Sequence, residues 1–250
     1  MATIDDETLN RRKLALIIVN RNYVRANRGT NYPDRYTTEL KNQLQTLRFN
    51  VTTIQNEKEC SIMRSKSFLE FQRSIQPGDL VFLYYIGFAC QDENINYFLP
   101  LGSDTDEKDI NFKDNENNVE HILDRLKRDD KPWAMIVVLD CCMPFELKST
   151  AIQDRTVTAT GLGPMNEQAN VLIQFTCSAN ETTEDDLFFK LLLRNLDREN
   201  VHVTKLFHDI TEDVSRKRHG QKKPFFANGL SNTKPIYLNP IRHTTRITKL

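Results

Sequence analysis

A chain of 250 residues with 39% hydrophobic side chains, eight Gly and nine Pro can bury the core of one α/β domain and is too apolar to be disordered. Lys plus Arg equals Asp plus Glu at 34 each, so net charge gives no reason to expect nucleic acid or an anionic membrane surface as a partner. The apolar runs fall short of the ~20 residues a membrane span requires, and residues 1–10 are polar and acidic, unlike a signal peptide.

Five cysteines, an odd number with two adjacent, suit free thiols in a reducing compartment better than a disulfide framework. The expected location is the cytoplasm, with the nucleus as a second compartment.

Residues 1–12 form a charged lead-in ending in Arg11-Arg12, before Lys13. The continuous apolar run over 14–19 predicts a first buried strand. A loop containing Gly29 and Pro33 leads to Tyr36, Leu40, Leu44 and Leu47, an apolar stripe at helical spacing. Alternation over 49–54 predicts a second strand. A helix over 61–75, with Phe68, Phe71 and Ile75 inward, stops at Gln76-Pro77-Gly78-Asp79.

The third strand starts at Leu80, and a short apolar segment covers 96–101. The acidic run over 103–109 lacks the glycine and terminal glutamate of an EF-hand loop, so it reads as a solvated loop, not a calcium site. Val119, Ile122, Leu123 and Leu126 predict another helix. The strand that follows, over 135–139, leads to Asp140-Cys141-Cys142.

Periodicity fades over 143–170, which reads as one long surface loop. Residues 171–176 predict a fifth strand ending at Cys177, and the helix over 187–193 is apolar nearly all round. Val203, Leu206, Phe207, Ile210 and Val214 give a cleaner amphipathic helix. The basic stretch 216–223 reads as a solvated helix end and turn, or else as a nuclear signal or anion patch. Lys234-Pro235-Ile236-Tyr237-Leu238 is expected to be the last, edge strand, with 239–250 a tail.

Strands alternating with helices at this spacing imply a mostly parallel six-stranded sheet with helices on both faces. No glycine-rich phosphate motif follows any strand, which argues against nucleotide binding. Ligands of such sheets sit beyond the carboxyl ends of the strands, so the residues after Tyr85 and after Leu139 should line one crevice. No cofactor and no metal are expected.

Several segments, in order, resemble the caspase-like cysteine peptidases and among them the paracaspases. They are Leu14-Ala15-Leu16-Ile17-Ile18 with Asn20 and Asn22-Tyr23, Leu83-Tyr84-Tyr85-Ile86-Gly87, and Asn96-Tyr97-Phe98-Leu99-Pro100. Val138-Leu139-Asp140-Cys141-Cys142, Phe175-Thr176-Cys177-Ser178-Ala179-Asn180-Glu181, and the helix from Val203 through Glu212-Asp213-Val214 complete the set. The resemblance implies a caspase-like domain over 13–238, with a large-subunit-like part over 13–142, a loop over 143–170 and a small-subunit-like part over 171–238.

In that family a cysteine attacks the peptide carbonyl and a histidine in a Gly-His-Gly turn serves as base and acid. The resemblance places Cys142 at the nucleophile, while the turn maps onto Gly87-Phe88-Ala89, with Gly87 a candidate oxyanion-loop residue. Phe88 therefore occupies the histidine position, and phenylalanine neither accepts nor delivers a proton. Ala89 replaces a glycine, and Met143 stands where the family commonly has arginine.

Paracaspases accept a basic residue before the cleaved bond, and Asp140 and Glu181 match the acidic positions of that pocket. Read on their own, Asp140 caps a turn and Glu181 is a solvated loop residue, and Glu184-Asp185-Asp186 could instead supply the charge. Cys90 lies near the vacant position and reads as a buried, inert thiol or as a partner for Cys141 or Cys142.

The resemblance implies a caspase-fold cysteine endopeptidase domain that is catalytically degenerate, a pseudoprotease binding protein or peptide partners. It would pair with itself or an active paralogue through its last strand. The alternative is an active endopeptidase cleaving after Arg or Lys with Cys142 and an unrecognised base.

Overall fold

The structure is a computed structural model that describes residues 10–21, 34–56, 61–99, 117–128, 132–141, 145–148, 156–159, 162–179, 181, 185–231 and 235–241. Five parallel strands form the centre: β1 (Lys13–Val19), β2 (Phe49–Gln55), β3 (Leu80–Ile86), β6 (Ala134–Asp140) and β9 (Val171–Phe175). A sixth, β10 (Phe225–Asn228), pairs antiparallel with β9 and closes one edge, giving the order β10-β9-β6-β3-β1-β2. The six-stranded, mostly parallel sheet expected from the sequence is present.

Period-two alternation sorts the strand side chains onto two faces. Ala15, Ile17, Phe82, Tyr84, Ile136 and Val138 meet α1 (Asp34–Thr46), α4 (Leu187–Leu196) and α5 (Val203–Lys217). Leu16, Ile18, Leu83, Tyr85, Val137 and Leu139 meet α2 (Lys66–Ser74) and α3 (Val119–Lys127) on the other side. The helical stripes predicted on α1, α3 and α5 are the buried ones, and α4 buries Phe188, Phe189, Leu191, Leu192 and Leu196.

Local signals fix the helix starts. The Ser65 hydroxyl accepts from Phe68 N (3.2 Å), the Asn118 side chain from His121 N (3.2 Å), and His202 Nδ1 from Thr204 N (3.3 Å). Each satisfies an amide that the helix itself cannot.

Three expectations need correction. The edge strand is β10, not 234–238. In that later segment Tyr237 makes one antiparallel bridge to His202, and the Ile236 carbonyl accepts from Val203 N (2.9 Å), so it covers the start of α5. Pro235 has no amide to give a ladder, whereas Phe225 stacks on Phe175 with ring centroids 4.3 Å apart across four register pairs.

Second, the stretch 143–170 is not one loop. It contains an antiparallel hairpin of β7 (Phe145–Lys148) and β8 (Thr156–Ala159). Its last part is held down, because the Asn96 amide both donates to Gly163 O and accepts from Gly163 N (2.9 Å each). Third, the segment after β3 is a second hairpin, β4 (Ala89–Asp92) with β5 (Ile95–Phe98).

Candidate active site

The carboxyl ends of β3, β6 and β9 lie side by side, with Ile86 opposite Asp140 and Leu139 opposite Phe175. Thr176 N reaches Leu139 O (3.4 Å), which carries the pairing one residue past the end of β9. Most sequence-predicted site residues stand on these ends.

At the end of β3, Gly87 is buried and Phe88 is only 1% exposed. The Phe88 carbonyl accepts from Tyr85 OH (2.9 Å) and from Leu99 N (2.9 Å), and Ala89 at once enters β4 opposite Phe98. Tyr85 and Phe98 stack 3.7 Å apart beside it. Ala89 is extended here and has no need of the left-handed region that glycine would permit.

At the end of β6, Asp140 is 2% exposed, and both of its oxygens are engaged. Tyr84 OH donates to Oδ2 (2.8 Å) from the neighbouring strand on one side, and Thr176 Oγ1 donates to Oδ1 (2.8 Å) from the other. The carboxylate thus ties three strand ends together. Both hydroxyls are neutral donors to the carboxylate.

Cys141 is buried among apolar side chains on the α2 and α3 face. Burial pushes its thiol well above the ordinary value, and the neighbouring Asp140 and Cys177 push it the same way. It stays protonated at neutral pH. Cys90, Cys141 and Cys177 are buried and none is in a disulfide, so Cys90 is not crosslinked to Cys141. Cys142 and Met143 lie outside the described residues.

We expect Cys90, Cys141 and Cys177 to resist iodoacetamide in the folded protein and to react only on unfolding, read by mass spectrometry of timed digests. The raised Cys141 thiol also sets a pH dependence. The unfolded chain releases that proton near ~8.5 while the folded one holds it, so its contribution to stability falls as pH rises above that value.

Beyond β9, Cys177 Sγ donates to Glu181 O (3.0 Å) and Glu181 N donates to Ser178 O (3.1 Å), closing a turn that leaves the Glu181 side chain exposed. Asp185 is held by Arg218 through two bonds of 2.6 and 3.0 Å. Burial alone would raise the Asp186 carboxyl, but hydrogen bonds from Lys190 and Tyr36 outweigh it and hold it below its ordinary value. Asp185 and Asp186 are therefore committed to structure, and Glu184 lies outside the described residues.

Arg218 is the residue that sequence reading missed. Its side chain is 8% exposed, and besides Asp185 it donates to Thr176 O (3.1 Å) and Lys222 O (2.9 Å). It joins the end of β9, the start of α4 and the approach to β10. The signal was available, since the buried stripe Leu206, Ile210, Val214 continues to 218 at a further step of four.

Four described histidines offer no evident replacement base. His202 caps α5, and His121, His208 and His219 are exposed on α3, on α5 and in the turn after it. His243 lies outside the described residues. No group of three or more His, Cys, Asp or Glu that could hold a metal occurs among the described residues, and the acidic run 103–109 is not among them. No helix among them is long and apolar enough to cross a membrane.

The family model described as the caspase domain matches residues 12–235. Among solved structures, the crystal structure of caspase-1 from Spodoptera frugiperda is similar over 93% of this chain and 93% of that one, with a TM-score of 0.60 and 14% sequence identity. No curated protein sequence matches the chain. At that identity the structural likeness carries the fold.

Proposed function

Since this chain belongs to the caspase domain family, whose members are cysteine peptidases, we propose that it is a paracaspase-like domain that has lost its general base. It acts as a pseudoprotease, binding protein or peptide partners at the crevice where a substrate would lie. The observation that carries this reading is Phe88. It stands at the position the resemblance assigns to histidine, and its ring is packed inside the protein.

A thiol of ordinary pKa is only a few per cent thiolate at neutral pH, and the leaving amine needs a proton. In a serine hydrolase, removal of the histidine alone lowers turnover ~10⁶-fold. A peptide bound beside Cys142 without a base would therefore stay uncleaved. Glu181, exposed on its turn, supplies the direct contact for a basic side chain, and Asp140 ties together the strand ends through Tyr84 and Thr176. Pairing with a second caspase-like chain, expected at the last strand, belongs at β10.

Turnover of fluorogenic peptides with Arg, Lys or Asp before the scissile bond separates the readings. The protein and its Cys142→Ala variant should show the same background, while Arg peptides still bind by fluorescence anisotropy. Cleavage lost on the Cys142→Ala change would establish the alternative, an active peptidase using another base.

A further inference from the structure

The segment between β9 and α4 carries Glu181, and both of its ends meet one side chain. At the near end the Thr176 carbonyl accepts from Arg218 Nη1 (3.1 Å). At the far end the Asp185 carboxylate accepts from Arg218 Nε (3.0 Å) and Nη2 (2.6 Å). A single planar group therefore closes the base of the segment. The same Nη1 also reaches Lys222 O (2.9 Å), on the way to β10.

This division of labour suits a guanidinium. Its fork meets a carboxylate with two parallel donors while the other nitrogen faces elsewhere, whereas a lysine ammonium is a compact point charge. The fork also has a firm base. Arg218 caps the carboxyl end of α5, its amide donating to Val214 O (2.9 Å), and Gly220 N closes the following turn onto Ser215 O (2.8 Å). Gly220 stands at φ 79°, the left-handed conformation common just past a helix end.

A cation at a helix carboxyl end interacts favourably with the helix dipole, which would account for an exposed arginine. It does not account for a side chain that is 8% exposed and bonded to three other parts of the chain. The near end is held twice, since Thr176 Oγ1 also donates to Asp140 Oδ1 (2.8 Å). At the far end Asp185 Oδ1 accepts from Leu187 N (3.1 Å), a bond local to the start of α4. Arg218 is what connects that end back to the first. Within the segment, the turn is shaped by Glu181 N to Ser178 O and by the Cys177 thiol, a weak donor.

We propose that Arg218 is the positioning residue for recognition of a basic side chain. By joining Thr176 to Asp185 it holds the segment that presents Glu181. By pairing with Asp185 it leaves Glu181 as the carboxylate, among the described residues of this segment, that meets the peptide. The identity of the ligand rests on the peptide-binding reading above, whereas the clamp does not.

The test compares the parent with Arg218→Gln and Arg218→Lys, each shown to be folded by circular dichroism, through two readouts. Limited digestion with a glutamyl endopeptidase, mapped by mass spectrometry, follows opening of the bond after Glu181. Where reclosing is fast, cleavage tracks the open population, so loss of the charge-assisted bonds in Arg218→Gln should speed it roughly tenfold. Cleavage after Glu39, exposed on α1, should not change, which separates a local effect from general destabilisation. Arg218→Lys keeps the charge without the fork and should resemble Arg218→Gln.

The second readout is anisotropy of an Arg peptide. Glu181→Gln should weaken binding roughly tenfold in the parent and have little effect in Arg218→Gln, because a glutamate no longer held in place contributes little. Parental cleavage after Glu181 in Arg218→Gln, or its full restoration by Arg218→Lys, overturns the clamp. An equal effect of Glu181→Gln with and without Arg218 overturns the positioning role. Should the parent bind Arg peptides no better than Asp peptides, the peptide-binding reading fails, while faster cleavage after Glu181 in Arg218→Gln still supports the clamp.

Discussion

Phe88→His should give Cys142-dependent cleavage after Arg or Lys where the parent gives none, with a gain of roughly 10²–10⁴ over background, the usual share of general acid–base catalysis. The full ~10⁶-fold of a native histidine is not expected. Position 88 is enclosed, with the residue's own carbonyl taken by Tyr85 OH and Leu99 N, so an imidazole must enter a space shaped for a phenyl ring. Burial disfavours the imidazolium, which lowers the pKa and keeps the ring neutral and able to accept a proton.

The acid limb of the pH–rate profile should then fall below the ordinary ~6.5 of histidine. The comparison is kcat/KM of Phe88→His against Phe88→His with Cys142→Ala, with circular dichroism confirming that both are folded. A folded Phe88→His that cleaves no better than its cysteine-free partner would place a further defect beyond position 88, at a residue such as Met143, which the resemblance sets where the family commonly has arginine.

The parallel core was legible because five of its strands are unbroken apolar runs, or alternate cleanly, between turn residues. Tyr36, Leu40, Leu44 and Leu47 likewise could face only inward. β10 was not legible. Its apolar run is only the three residues Phe225-Phe226-Ala227, too short to stand out after a basic stretch and Pro224, and all four of its residues are half-buried. The segment 234–238 had the composition of a strand, but its described residues pair only through the bridge of Tyr237 to His202.

The site divides the same way. That Asp140, Gly87 and Phe88 stand on adjacent strand ends follows from the parallel order alone. That Asp140 is bound by Tyr84 and Thr176 does not, because those hydroxyls reach it from two neighbouring strands whose register no local pattern reveals. The matched acidic pair also separates in kind: one carboxylate is buried and engaged, the other exposed.

That separation predicts two different mutant phenotypes. Asp140→Ala should destabilise the domain by about 2–4 kcal/mol, because two buried hydroxyls lose their acceptor at about 1–3 kcal/mol each, partly offset by removal of a desolvated charge. Asp140→Asn keeps one acceptor and should cost less. Replacing all three residues together, as Asp140→Leu with Tyr84→Phe and Thr176→Val, removes the stranded hydroxyls and should recover part of the loss.

Urea unfolding at unchanged m-value measures these differences. Glu181→Gln, on an exposed turn, should leave the unfolding midpoint within about 0.5 kcal/mol of the parent and act only on affinity for Arg peptides. If Asp140→Ala proved as stable as the parent but failed to bind Arg peptides, the anchoring role would be wrong, and Asp140 would be a contact residue of the pocket. If peptide binding falls only in step with stability, the basic side chain is recognised by Glu181, with Asp140 holding the strand ends on which the crevice is built.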